Sequence, residues 1–148
     1  MGAEPMRRGQ QPMDYTEYQP LNELLNRTAA QAGDRLIWFS AEAAQLRENR
    51  LGTVFCRVME TALNAAMTYC EEVTPPGARF LRFRSRTAQG QILVKIEYSA
   101  GDRLMPNEND GVSAIRELME ENGGYARQMI GGGTGTIKIA FPEHYQKR

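Results

Sequence analysis

The side chains best placed to do chemistry lie in residues 50–72, where apolar residues recur at helical spacing. Leu51, Val54, Phe55, Val58, Met59, Ala62, Ala66 and Tyr69 form one face of this predicted helix. Arg57, Glu60, Thr61, Asn64 and Thr68 form a polar stripe on another side. Positions i and i+4 share a helical face, so a pair such as Glu60 and Asn64 can point at one ligand. A second feature is the start of the next predicted helix at Gly111, shortly after Asn109. The first turn of a helix offers free N–H groups at the positive end of its dipole, which suits an anion. Asn109 tolerates positive φ better than most residues.

Other reactive residue types lead to plainer readings. The single histidine, His144, sits in a C-terminal PEHYQKR tail outside any predicted helix pair and reads as a surface residue. Cys56 and Cys70 fall on the same helix, about 21 Å apart at 1.5 Å per residue. A disulfide needs Cα atoms within about 7 Å, so these two do not pair there. Two thiols without metal-ligand spacing suggest a cytosolic protein and buried, inert side chains. The run Gly131-Gly132-Gly133-Thr134-Gly135 lacks a following Lys-Ser/Thr and opens no helix, so it reads as a hairpin turn rather than a phosphate cradle.

The elements that position these residues follow from pattern. Residues 1–19 are polar and aperiodic and read as a flexible lead-in. Pro20 opens a short helix with Leu21, Leu24, Leu25 and Ala29 on one face, which Gly33 is expected to stop. Residues 35–40 read as a strand and 41–49 as a polar connection. After the long helix, Thr74-Pro75-Pro76-Gly77 ends the element. A hairpin follows, residues 79–87 and 91–98, turning at Ala88-Gln89-Gly90. Leu81, Phe83, Ile92, Val94, Ile96 and Tyr98 face inward; Arg82, Arg84 and Arg86 face outward across from Glu97, as a solvated sheet face. Residues 99–110 are a loop. The helix 111–122 buries Val112, Ile115, Leu118 and Met119 and stops at Gly123-Gly124. Residues 125–130 and 135–141 form a last hairpin joined by Gly131-Gly132-Gly133, with Ile137, Ile139 and Phe141 inward, and Pro142 closes the sheet.

This order predicts one α+β domain over residues 20–142, with residues 143–148 as a tail. Its architecture is a two-layer α/β sandwich: a mixed, mostly antiparallel sheet covered on one face by helices. A chain of 148 residues is long enough to bury a real core. Its 18 basic and 18 acidic side chains cancel, so nothing argues for nucleic acid or an anionic membrane as partner. No apolar run approaches the roughly 20 residues that span a bilayer. The N-terminus has no apolar h-region and is not a secretory signal.

From about Leu21 to Pro142 the layout and several local strings resemble the GHKL-type ATPase domain of peptide-sensing sensor histidine kinases. The strings are FCRVMETALNAAMTYCEE, IEYS and DGVSAIRELMEENGG. The resemblance implies an ATP-binding domain that passes a phosphoryl group to a histidine outside this chain. It implies ATP and Mg²⁺ as ligands. A response regulator or the kinase's dimerisation and phosphoacceptor segment would be the partner. In that family one polar residue of the long helix activates water and an Asn four residues on binds Mg²⁺, a hard cation that wants oxygen ligands.

Two registers carry this over. The gap-free one matches Cys56, Ala62, Leu63, Ala66 and Cys70 and puts Thr61 and Ala65 at the two positions; alanine ligates nothing. Sliding by one residue gives Glu60 as the catalytic position and Asn64 as the metal ligand, with Arg57 and Thr61 beside the nucleotide. Tyr98 takes the place of the residue that reads adenine, with Gly101 and Asp102 next to it. Gly111 matches the second glycine of the phosphate-approaching pair and Asn109 the first. The departures at Ala65, Tyr98 and Asn109, with a short lid loop, imply impaired catalysis. The alternative they imply is a catalytically dead module that acts in protein–protein interaction. The family's dimerisation hairpin is not among these strings, so a monomer is expected.

Overall fold

A computed structural model of the chain describes residues 13–44, 52–101, 110–121 and 123–142. Along these residues run α1 (Gln19–Asp34), β1 (Trp38–Glu42), α2 (Gly52–Val73), a short 3₁₀ turn (Pro76–Ala78), β2 (Phe80–Ala88), β3 (Gln91–Ser99), α3 (Asp110–Glu121), β4 (Tyr125–Gly131) and β5 (Thr134–Pro142). The five strands form one sheet in the order β1-β2-β3-β5-β4. β1 and β2 are parallel and every other pair is antiparallel. A parallel pair needs a long crossover, and α2 supplies it. The expected mixed, mostly antiparallel sheet is thus the observed one.

All three helices lie on one side, α1 against β1, α2 against β2 and β3, and α3 against α2 and β4. The core between the layers follows the two periodicities of the sequence. From α2 it takes Phe55, Val58, Met59, Ala62, Leu63, Ala66, Met67, Tyr69 and Cys70. From the sheet it takes the alternating inward residues, Leu81 and Phe83, Ile92 to Tyr98, and Ile137 to Phe141. Phe55 stands edge-on to Phe141 at 5.2 Å between ring centres, tying the start of α2 to the end of β5. In α3, Ile115 and Met119 are buried and Leu118 is half-buried; the Val112 side chain lies outside the described residues.

Both hairpins close through two-residue loops with positive φ at each position, Gln89-Gly90 and Gly132-Gly133. Such loops match the right-handed twist of the strands they join. Arg79 fastens the helical layer to the sheet. Its guanidinium donates to the carbonyls of Thr74 (2.8 Å), Arg35 (2.8 Å) and Glu71 (3.2 Å). These are C-terminal carbonyls of α2 and α1, which no intrahelical N–H reaches.

Two departures from expectation exceed a residue or two. Residues 1–12 of the expected lead-in lie outside the described residues, but residues 13–18 fold onto α1. Asn22 accepts from the Tyr15 N–H (2.6 Å) and the Thr16 N–H (3.3 Å). Asn26 accepts from the Met13 N–H (2.9 Å), Thr16 donates to the Ala44 carbonyl (2.9 Å), and Tyr18 is buried. Side-chain amides hold this segment, and hydrophobic periodicity carries no trace of them.

The first strand is also displaced, from 35–40 to Trp38–Glu42. Gly33 does not stop α1. The helix ends in a Schellman turn instead: Ile37 N–H bonds to Ala32 O (2.8 Å) and Leu36 N–H to Gly33 O (3.1 Å). Leu36 takes the left-handed position, φ 59°, that glycine usually holds. For an L residue that conformation costs about 1–2 kcal/mol. Leu36 is 62% exposed, so truncating it forfeits little burial. Leu36→Gly should therefore raise stability by about 0.5–1 kcal/mol, net of the added freedom of the unfolded chain. A higher urea midpoint at unchanged m-value is the expected result.

Candidate functional site

Of the sequence-marked residues, Arg57, Glu60, Thr61 and Asn64 lie on α2, Tyr98 lies near the end of β3, Gly101 just after it, and the Gly111 backbone in α3. β3 brings its C-terminal residues up beside α2 and α3 packs along the same helix. At the end of β3 the Ser99 hydroxyl lies 2.9 Å from Cys70 Sγ on α2 and accepts from the Phe80 N–H at 3.2 Å. Cys70 is thus a buried structural thiol, and Cys56 is also free. Burial pushes the Cys56 thiol above its ordinary value, which disfavours the reactive thiolate.

Gly101 follows with φ 62°, and an added Cβ would stand 2.7 Å from the Val73 carbonyl oxygen. Glycine is required there both for its backbone angle and for space. Asp102 and Asn109 lie outside the described residues, as does His144. The backbone of Gly111 belongs to the first turn of α3, which opens one residue earlier than expected, at Asp110.

The two registers on α2 point in different directions. Successive residues of an α-helix are about 100° apart around the axis. Glu60 faces α1, where its carboxylate lies 3.8 Å from the Arg27 guanidinium. Both side chains are more than half exposed, so this pair contributes about 0–1 kcal/mol. Asn64 is one turn on and exposed. Thr61 and Ala65 lie further round, away from α1 and toward the flank on which α3 packs. Thr61 is half-buried and donates to the Arg57 carbonyl at 2.9 Å, the usual back-bond of a threonine within its own helix. Arg57 itself is exposed, and Ala65 packs part-buried against the core.

The Tyr98 side chain is fully buried. Its ring stands edge-on to Tyr69 at 5.7 Å and an interplanar angle of 71°. It lies flush on Gly135 of β5, where an added Cβ would collide with the ring. Its hydroxyl accepts from Gln128 Nε2 on β4 at 2.6 Å. Burial pushes the phenol above its ordinary value; the Gln128 bond works in the opposite direction. With every side covered by protein, Tyr98 presents no free face on which a purine could stack. Tyr69 contrasts with it: its hydroxyl is buried and has no hydrogen-bond partner among the described residues.

Sequence reasoning did not mark Arg27, Ser99, Gln128 or Gly135. One signal was available. In the strand YARQMIG, Gln128 shares parity with the inward-facing Ala126 and Ile130, and a polar residue in an inward slot asks for a buried partner.

No family model matches this chain, and no curated protein matches it. Solved structures do. The chain is similar to the histidine kinase domain of the Erythrobacter litoralis EL346 blue-light activated histidine kinase (TM-score 0.66, 17% identity, 91% of this chain and 65% of that one). It is similar to the catalytic domain of histidine kinase ThkA (TM-score 0.64, 16% identity, 85% of this chain and 95% of that one). It is also similar to the Acinetobacter baumannii histidine kinase AdeS (TM-score 0.65, 12% identity, 84% of this chain and 64% of that one). The chain therefore has the fold of histidine kinase catalytic ATPase domains. It spans nearly all of the isolated ThkA domain and about two thirds of the AdeS and EL346 chains.

Tyr98→Phe should cost about 1 kcal/mol at neutral pH, the net worth of one hydrogen bond. Because the folded-state pKa of Tyr98 is raised, its stabilisation is complete below the ordinary value of 10.0 and fades as pH rises through the folded value. Urea melts from neutral pH to about pH 11 should show stability falling at the alkaline end, less steeply in the variant. Tyr15 and Tyr18, also raised by burial, keep part of the slope.

Proposed function

We propose that this chain is a histidine-kinase-like catalytic domain whose phosphotransfer is impaired and which works by holding a protein partner. The observation that carries this reading is Tyr98. Its ring fills the end of β3 from inside and is closed over by Tyr69, Gly135 and Gln128. A purine entering there must displace a fully buried aromatic side chain, whose burial is worth about 1.5–3 kcal/mol, before making any contact of its own.

ATP and Mg²⁺ fit the α2 residues poorly. On the flank facing α3, Ala65 offers a methyl group where a metal needs an oxygen. Glu60 and Asn64 carry oxygens, but Glu60 faces Arg27 of α1 and Asn64 is exposed to solvent. A phosphotransfer step therefore has no complete set of groups among the described residues. The partner we propose is a signalling protein of the response-regulator or phosphoacceptor kind, met in the cytosol. The solved complex of ThkA with the response regulator TrrA, to which this chain is also similar (TM-score 0.64, 16% identity, 88% of this chain and 41% of that one), supports that partner class.

One observation favours a second reading, retained ligand binding without efficient transfer. The orphaned Tyr69 hydroxyl is a buried polar group that a bound ligand could satisfy. Arg57 is exposed one turn from Thr61 and could meet a phosphate.

A thermal melt with and without millimolar ATP and Mg²⁺ decides between the two. Ligand at about 100 times its Kd stabilises the native state by about 2.7 kcal/mol, several degrees for a domain of this size. The expected result is no shift. A shift of several degrees that is abolished by chelator and weakened in Tyr69→Phe would establish the second reading in its place.

A further inference from the structure

The outer face of the sheet, opposite the helices, carries charge in a pattern that the balanced composition conceals. Strand register aligns Glu42, Arg84, Lys95, Lys138 and Arg127 in one row across all five strands. Arg82 and Arg86 stand on either side of that row on β2. The only carboxylates on this face among the described residues are Glu42, at the sheet edge, and Glu97. Glu97 is shared between Arg82 (3.0 Å) and Lys95 (3.7 Å), and Glu42 reaches Arg84 only at 3.9 Å while 85% exposed. Arg86, Lys138 and Arg127 have no carboxylate partner among the described residues. The same face holds a groove of about 600 Å³ whose floor includes Leu93 and Ala140 and whose wall is Tyr125, 44% exposed.

We infer that this face is a docking surface for an extended acidic segment of a partner protein. The inference deepens the interaction reading above and rests on it. It draws on a surface separate from the region around Tyr98.

Spacing matches this occupant. Strands lie about 4.8 Å apart, so Arg84 to Arg127 spans about 14 Å; alternate side chains of an extended chain repeat every 6.6–6.8 Å, so three carboxylates cover about 13 Å. The apolar floor of Leu93 and Ala140 leaves room for small side chains between the charges. Single-stranded nucleic acid, the other polyanion, binds by stacking bases on aromatic rings. Here the exposed rings, Trp38 and Tyr125, sit on opposite edge strands. Phe80 is covered by the Arg82 guanidinium at 5.5 Å, and no ring lies beneath the central cations. With 18 basic and 18 acidic residues, the chain also lacks the overall positive field that draws nucleic acid.

The test is fluorescence anisotropy of a labelled peptide of five Glu-Ser repeats against the whole chain, with and without ATP·Mg²⁺. Saturable binding is expected, weakening as salt rises from 50 to 300 mM. K138E/R127E should weaken it at least tenfold, and K138Q/R127Q should weaken it in the same direction. R27E/R35E, the same charge change on the helical side, should leave affinity within twofold. Melting curves of each variant confirm that it is folded. Equal affinity for wild type and K138E/R127E would overturn the proposal, as would equal losses in both Glu variants or no binding at 50 mM salt. Tighter binding of a ten-nucleotide oligo(dT) than of the peptide would overturn it in favour of nucleic acid. An ATP-induced melting shift alongside intact peptide binding would replace the closed-site reading with retained nucleotide binding while leaving this surface standing.

Discussion

The burial of one face of α2 against the sheet is the constraint on which the remaining structure depends. Phe55, Met59, Leu63 and Met67 are fully buried along that face. Each contributes about 1.5–3 kcal/mol, so the helix cannot rotate about its axis without losing several such terms. That fixes which polar residues can face what. Turning α2 by one residue, about 100°, would bring Glu60 and Asn64 toward α3, but it would carry the apolar face off β2 and β3. The pairing of Glu60 with Arg27 is a consequence of this orientation rather than its cause, since an exposed pair of that kind is too weak to set it.

The same core explains the behaviour of Tyr98. An inward-facing position at the end of β3 can hold a polar reader of a ligand, or it can be filled. A tyrosine fills it only if the neighbouring strand leaves room, and Gly135 leaves it. The phenol then needs a partner, and Gln128 on the next strand provides one. Three residues on three adjacent strands are thus mutually fitted, which is the signature of packing rather than of a vacant pocket. Tyr69 is the exception: its ring packs against Tyr98 while its hydroxyl has no partner. Core and site meet at that atom.

Periodicity made most of the fold legible. Period-two alternation in QILVKIEYS and TGTIKIAFP and the 3.6 period of α2 are statements about burial, and burial is what the core enforces. Features held by hydrogen bonds escaped it. Asn22 and Asn26 order residues 13–18 through amide contacts with no apolar pattern. At the end of α1, Gly33 is the better stop by propensity, but the Schellman bonds and the burial of Ile37 select Leu36 for the left-handed position. At the candidate site, the family resemblance implied that Ala65 and Tyr98 depart from a nucleotide-site pattern. It did not show what fills the gap, because Gly135 and Gln128 are distant in sequence and close only through strand register.

Charge arrangement was legible in half. The alternation RFRSR already put Arg82, Arg84 and Arg86 on one side of β2, and Glu97 across from them accounts for part of that charge. The order of the strands adds the rest. Placing β5 between β3 and β4 brings Lys138 and Arg127 into line with Arg84 and Lys95. Like charges directly opposite on neighbouring strands destabilise a sheet by a few tenths of a kcal/mol or more. A row of four cations, with only Glu42 at its edge and the shared Glu97 beside it among the described residues, therefore works against folding. The helical side of the same sheet is satisfied by burial, so nothing in the fold requires the row. A counter-charge brought by a partner would relieve the repulsion, and the strain of the free domain would then count toward the affinity of the complex.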